Sequence, residues 1–428
     1  MKNALFLLGL IFSLSTTLPS QVQYLHCGQL LDMKSDKVKT EMTVIIRGQR
    51  IEQVIKGYLE APDSVSIIDL KDKVVMPGWM DMHVHIEHES SPTRYLDKIR
   101  QNKADLALGA VKFCSRTLMA GFTTVRDLGG TGVNVSLRNA INKGDLIGPR
   151  IFTSEKTIST TGGHQDPTNG MRDDLKGDPG PKDGIINSAD EARKAVRQRY
   201  KNGADCIKIT ATGGVLSVAK DGMGPHFTLN EVEAVVDAAK DYGFITAAHA
   251  HGEEGMKRAV LGGIHSIEHG TFMTEEIMDL MKEKGTYYVP TVSAGKFVEA
   301  KAKQRGYYPS IIVPKALSIG PQIQETFKKA YKYGVKIAFG TDAGVSPHGD
   351  NALEFLYMTE AGMSNYEALR SATFNAADLM NISEDYGSVE SGKVADLIAL
   401  YANPIEDINA TLEVPFVMKA GTAYKALK

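Results

Sequence analysis

Met76-Pro77-Gly78-Trp79-Met80-Asp81-Met82-His83-Val84-His85 is an apolar run that ends in two histidines one residue apart. Side chains alternate faces along a β-strand, so His83 and His85 point the same way while Val84 points into the packing. Two imidazoles side by side at a strand end form half of a metal site. The same pair, taken alone, also reads as a polar strand end whose rings satisfy local hydrogen bonds. The rest of the chain decides between the two readings.

Downstream, strand-like apolar runs alternate with helical patterns. The runs at 122–127, 150–154, 205–210, 244–249, 264–269, 286–291 and 335–342 repeat the rhythm of the first. Helices are expected at 104–120, 133–143, 188–202, 230–241, 253–261, 274–284 and 321–333. Ser188, followed three residues on by Glu191, supplies a good helix-start signal. About eight such repeats predict an α/β chain folded as a (β/α)8 TIM-like barrel. A doubly wound open sheet is the alternative. The count favours the barrel, as does the recurrence of polar residues at the C-terminal ends of the runs. The Gly-, Pro- and Asp-rich loop at 161–184 is long enough to suggest function.

Both flanks of this pattern are β-rich. Short strands are expected at 22–31, at 43–51 with a break at Gly48, and at 65–70, then again at 394–401 and 414–423. The expected organisation is therefore a composite β-sandwich module from 21–75 and 387–428, and a barrel over 76–386. Residues 1–20 read as a signal peptide. Lys2 precedes an apolar run at 4–14, which is too short for a comfortable membrane span, and a polar stretch containing Pro19 follows. Export to a periplasmic or extracellular compartment is expected, with no stable membrane span after cleavage. The 428 residues carry 49 Lys and Arg against 51 Asp and Glu, a formal charge of -2. That balance offers no basic footprint for a nucleic-acid partner. Cys27, Cys114 and Cys206 are odd in number and sit among apolar neighbours, so they read as small buried side chains.

The strand ends carry the chemistry. The first run supplies His83 and His85, the fourth Lys208, the fifth His249, the sixth His269 and the eighth Asp342. In a barrel these ends converge on the face where barrel enzymes place their active sites. Four imidazoles, a carboxylate and a lysine would meet in one cup. Each has a bland explanation alone; their joint placement on five strand ends is hard to obtain by accident.

The motifs Met80-Asp81-Met82-His83-Val84-His85, Ile207-Lys208-Ile209, Ala248-His249-Ala250-His251-Gly252, Ile267-Glu268-His269-Gly270 and Gly340-Thr341-Asp342-Ala343-Gly344 resemble those of the amidohydrolase superfamily. The nearest-looking subgroup is the prolidase-like, imidazolonepropionase-related branch, with its Xaa-dipeptidases, N-acyl amino acid amidases and ochratoxin-hydrolysing enzymes. The resemblance implies two divalent metal ions, for which zinc suits the mixed nitrogen and oxygen donors best. His83, His85 and Asp342 would hold one ion and His249 and His269 the other. Lys208 would bridge them as a carbamate formed with carbon dioxide, because an ammonium has no lone pair to offer a cation. A hydroxide held between the ions would attack an amide carbonyl, and Asp342 would pass the proton to the departing amine. His164 and His251 would contact substrate.

The implied reaction releases a C-terminal amino acid from a dipeptide or N-acyl amino acid, of unspecified identity. A tendency to assemble as a homo-oligomer is also implied. A cyclic amide hydrolase or a deaminase on the same scaffold is the alternative. Such deaminases place a Glu three residues after the histidine of the fifth strand. Gly252 stands there relative to His249, whereas Glu254 stands there relative to His251. A non-catalytic binding relative is a third reading, weakened because every expected ligand is present.

Overall fold

A computed structural model describes residues 21–218 and 222–426. The expected signal peptide at 1–20 lies outside the described residues. Seven parallel strands form most of a barrel wall: Trp79–Val84, Phe122–Asp127 and Arg150–Thr153 in one sheet, and Cys206–Thr210, Ile245–Ala250, Ser266–His269 and Tyr287–Val289 in the next. The two sheets meet where Asp205 N–H donates to the Thr153 carbonyl at 2.7 Å, and Ile158 lies along the edge of the second. Its N–H donates to the Lys208 carbonyl at 2.8 Å, and its own carbonyl accepts from Thr210 N–H at 3.0 Å.

The eighth run, expected as a strand at 335–342, closes the barrel without forming a regular ladder. On one side Ala338 N–H donates to the Tyr288 carbonyl at 3.0 Å. On the other, Met82 N–H donates to Phe339 O at 2.9 Å and Asp342 N–H to His83 O at 2.7 Å. The ladder fails for two local reasons. Gly340 packs so tightly that a Cβ there would lie 2.3 Å from Val289 Cγ1, and Asp342 sits in left-handed backbone at φ 57°. The chain therefore turns inward where it delivers its carboxylate.

Helices Lys103–Met119, Val133–Lys143, Ala189–Lys201, Leu229–Lys240, Glu253–Leu261 and Glu275–Lys284 return the chain between strands. The Ser188 side chain accepts from Glu191 N–H and starts the third of these. The helix expected at 321–333 instead runs over Val313–Tyr333 and carries Pro321 in its interior, after a further helix at Val292–Ala302. An interior proline costs about 3 kcal/mol. Packing outweighs it, because the two helices cross at glycines. A Cβ on Gly320 would meet Glu299 Cβ at 2.5 Å and the Gly295 carbonyl at 2.9 Å.

The two ends of the chain meet in one seven-stranded sheet. Its order is Thr422–Lys425, Phe416–Lys419, Leu397–Leu400, Ser66–Pro77, Val22–Leu30, Lys39–Arg47 and Arg50–Lys56. The sheet curls over a core that includes Leu25, Val44, Leu70, Leu397 and Phe416, until Ile51 N–H donates to the Lys393 carbonyl at 2.8 Å. This is the expected sandwich module. Ser66–Pro77 passes through Gly78 directly into the first barrel strand. Trp79 then locks that strand, fully buried against Phe122 and Phe355 with ring centroids 5.4 and 5.1 Å away. The module thus anchors the strand that carries His83. The three cysteines are free and buried, as expected. No helix among the described residues is long and apolar enough to cross a membrane.

A β-branched side chain at the helix crossing should be costly. Gly320→Val is expected to lower stability by about 1–3 kcal/mol, read as a lower urea midpoint at unchanged slope.

Candidate active site

The strand ends converge as the barrel requires. Asp342 Oδ1 lies 3.3 Å from His85 Nε2 and 3.6 Å from His83 Nε2. Lys208 Nζ lies 3.4 Å from His83 Nε2. The ring centroids of His83 and His269 are 4.9 Å apart, and those of His249 and His269 are 4.7 Å apart. His83, His269 and Asp342 each offer a ligand atom within 4.8 Å of the others. His249, His251 and His269 are all buried, as are Lys208 and Asp342.

Each histidine has one ring nitrogen held from behind. His83 Nδ1 meets Glu268 Oε2 at 2.9 Å, and His85 Nδ1 donates to the Gly129 carbonyl at 2.7 Å. His269 Nδ1 lies 2.7 Å from Thr291 Oγ1, and His251 Nδ1 lies 2.8 Å from Thr271 Oγ1. In these four the Nε2 atom remains for a ligand. His249 is reversed, its Nε2 donating to the Gly213 carbonyl at 3.0 Å, so that Nδ1 remains. A second partner that fixes tautomer and ring orientation is characteristic of metal-binding imidazoles.

The protonation states match. Burial pulls His85 and His251 down to about 3, and His83, His249 and His269 well below the ordinary 6.5. The rings are neutral and their lone pairs are available. Burial also lowers the Lys208 ammonium and raises the Asp342 carboxyl. Asp342 Oδ1 is buried with no hydrogen-bond partner, an acceptor that a cation would satisfy. Left-handed backbone recurs at His269, Thr291 and Asp342, with φ of 70°, 53° and 57°. Such strain concentrates at functional sites and is sustained by the surrounding packing.

Beneath the cup the barrel interior is charged. Arg126, on the second strand, donates through Nη2 to Glu268 Oε1 at 2.9 Å, through Nη1 to Ser266 Oγ at 3.0 Å, and through Nε to the Met82 carbonyl at 2.7 Å. Arg126 and Glu268 are fully buried. Glu268 thus joins a buried cation to His83. No role for Glu268 was expected from the sequence, although it stands inside a quoted motif. A lone acid and a lone arginine within apolar strands were the available signal.

His164 stacks on His249 with centroids 4.3 Å apart, and its Nδ1 is buried without a partner. His251 stacks on His269 at 5.2 Å. Both sequence-predicted contact residues therefore adjoin the cup. Glu254 does not. It accepts from Arg258 Nε at 2.7 Å on a helix surface, with 53% of its side chain exposed. Tyr288 Oη donates to the His269 carbonyl at 2.8 Å and supports the backbone there.

A closed parallel barrel with imidazoles, a lysine and a carboxylate gathered at its strand ends has the form of a barrel hydrolase. The chain belongs to the amidohydrolase family, whose family model matches residues 74–423. It is similar to the ochratoxinase of Aspergillus niger, with 33% identity over 387 residues that cover 86% of this chain and 78% of that one. Among solved structures it is similar to a Xaa-Pro dipeptidase with bound methionine in the active site. That likeness has a TM-score of 0.92 and 53% identity, covering 95% of this chain and 100% of the other. A prolidase complexed with N-methylphosphonate-L-proline matches with a TM-score of 0.87 and 32% identity, over 95% of this chain and 100% of that chain. These relatives place the chain in the prolidase-like, imidazolonepropionase-related branch. It is an amide-bond hydrolase, acting on carbon–nitrogen bonds.

Glu268→Gln should leave Arg126 as a buried, unpaired charge and loosen His83. The expected loss is about 3–5 kcal/mol of stability and about 10–100-fold in affinity for a divalent ion. Thermal melting and chelator-competition titration with zinc read the two effects, and unchanged affinity would remove Glu268 from the site.

Proposed function

We propose that the chain is a binuclear metal-dependent hydrolase that releases a C-terminal amino acid from a dipeptide or N-acyl amino acid. The observation that carries this reading is the set of imidazoles at the strand ends, each held from behind at one ring nitrogen with the other toward the cup, around Asp342 Oδ1. The relatives support the substrate class: one is a Xaa-Pro dipeptidase with bound methionine in the active site, another a prolidase complexed with N-methylphosphonate-L-proline.

In this reading His83, His85 and Asp342 would hold one ion and His249 and His269 the other, with Lys208, as a carbamate, supplying oxygen donors to both. Zinc suits this donor set. When bound, the ions supply a lowered water pKa and a Lewis acid for the scissile carbonyl. The residues prepare the rest. Burial lowers the Lys208 pKa, which favours the neutral amine whose lone pair can add to carbon dioxide with loss of a proton. Asp342, whose Oδ1 lies between His83 Nε2 and His85 Nε2, would accept a proton and return it to the leaving amine. His164 and His251, which stack on His249 and His269, would bind the substrate's polar groups. The exposed position of Glu254 counts against the deaminase alternative. We further propose that residues 1–20 direct export and are removed.

Two measurements test this. Hydrolysis of a dipeptide panel should vanish on chelation and return with zinc at two equivalents per chain; a metal-loaded, folded protein that cleaves no amide would refute the function. Lys208→Ala should lose metal and activity, with partial rescue by a short-chain carboxylic acid. Full activity in Lys208→Ala would refute the bridging role.

A further inference from the structure

The loops above the cup contain polar atoms that the chemistry so far does not use. Arg94 follows the loop after the first barrel strand, and its Nη1 is buried without a partner among the described residues. Tyr308, from the segment between the two helices after the seventh strand, is 6% exposed, and its Oη is also unpartnered. Ser90 Oγ is a third such atom. The Ser90 and Tyr308 hydroxyls lie close enough to interact, and each keeps hydrogen-bonding capacity that no other group fills.

These groups lie near the cup. Val345, whose N–H donates to the Asp342 carbonyl at 2.9 Å, packs in one cluster with Tyr308 and with Tyr95, the neighbour of Arg94. The Arg94 charge also acts on Tyr308. Tyr95 Oη donates to the Leu216 carbonyl at 3.0 Å and ties the loop after the first strand to the loop after the fourth. Around them Tyr95, Val215, Leu216, Phe297, Tyr308 and Val345 pack in one apolar cluster. A second cation nearby, Lys315, is already engaged, donating to the Gly214 and Ser217 carbonyls at 3.2 and 2.6 Å.

A guanidinium nitrogen buried without a partner is costly unless an anion completes it. A carboxylate fits the guanidinium fork with two hydrogen bonds, and the hydroxyls can donate to its remaining lone pairs. We propose that Arg94, with Tyr308 and Ser90 beside it, is the subsite for the free carboxylate of the substrate, beneath an apolar wall that takes its side chain. The substrate class narrows to N-acyl or peptidyl derivatives of apolar amino acids with a free α-carboxylate, and carboxamide counterparts are rejected. This inference rests on the hydrolase reading above and deepens it.

The test compares N-acetyl-L-leucine with N-acetyl-L-leucinamide, using zinc-loaded wild type, Arg94→Met, Arg94→Lys and Lys315→Met. Wild type should prefer the acid by about 100-fold in kcat/KM. Arg94→Met should reduce that preference to about tenfold or less, with the loss carried by KM. Arg94→Lys should keep an intermediate preference, since a point charge remains but the fork is lost. Calorimetric binding of L-leucine, which needs no turnover, should weaken by about 10–100-fold in Arg94→Met. An unchanged preference and unchanged leucine affinity in Arg94→Met would overturn the subsite, as would a collapse in Lys315→Met instead. Arg94-dependent leucine binding by a wild type that cleaves neither compound nor any member of the dipeptide panel would uphold the subsite and refute the proposed function.

Discussion

An imidazole can offer a metal only one nitrogen, and it offers it in the right place only if the other is held. That constraint shapes the whole face of this barrel. Glu268, the Gly129 carbonyl, the Gly213 carbonyl, Thr271 and Thr291 each hold one ring from behind. The most demanding of these partners is Glu268, because a buried carboxylate needs a buried cation. Arg126 supplies it and in turn needs Ser266 and the Met82 carbonyl. Charge in the barrel interior is tolerated here because every partner is present, and removal of one would strand the others.

The same logic explains the strained backbone. His269, Thr291 and Asp342 lie at the ends of consecutive barrel segments, and all adopt left-handed φ. Thr291 has to reach His269, and Asp342 has to turn inward between His83 and His85. Asp81 pays part of that cost by tying the first strand to the eighth segment. It accepts from Thr341 Oγ1 at 2.6 Å, from Asn351 Nδ2 at 2.8 Å and from His83 N–H at 3.1 Å. Burial raises the Asp81 carboxyl to about 6 despite these bonds. Glu354 works similarly at the next turn, accepting from Val292 and Ser293 N–H at 2.8 and 2.7 Å, just after Thr291. Carboxylates outside the cup therefore hold the backbone from which the cup is built.

Much of this arrangement was legible in the sequence, for local reasons. Strand alternation announced His83 and His85, and the recurring apolar runs announced a barrel. Glycine and an acid at Gly340 and Asp342 marked the eighth segment but concealed its loss of ladder, which follows from tight packing against Val289 and His83. Pro321 suggested a helix start because local propensity forbids an interior proline, whereas the Gly295–Gly320 crossing that overrides it is tertiary. Glu268 and Arg126 stand 142 positions apart, so their pairing had no local signature. Arg94 was hidden for a similar reason, since a surface-like helix start does not announce that one guanidinium nitrogen is buried.

The central claim is that this cup binds two ions bridged by Lys208. Anomalous diffraction at the zinc edge, on crystals of the zinc-loaded protein, tests it most directly. The account predicts two peaks, one beside His83, His85 and Asp342 and one beside His249 and His269, with continuous density from Lys208 Nζ to both. A single peak, or a bare lysine side chain between two peaks, would contradict it.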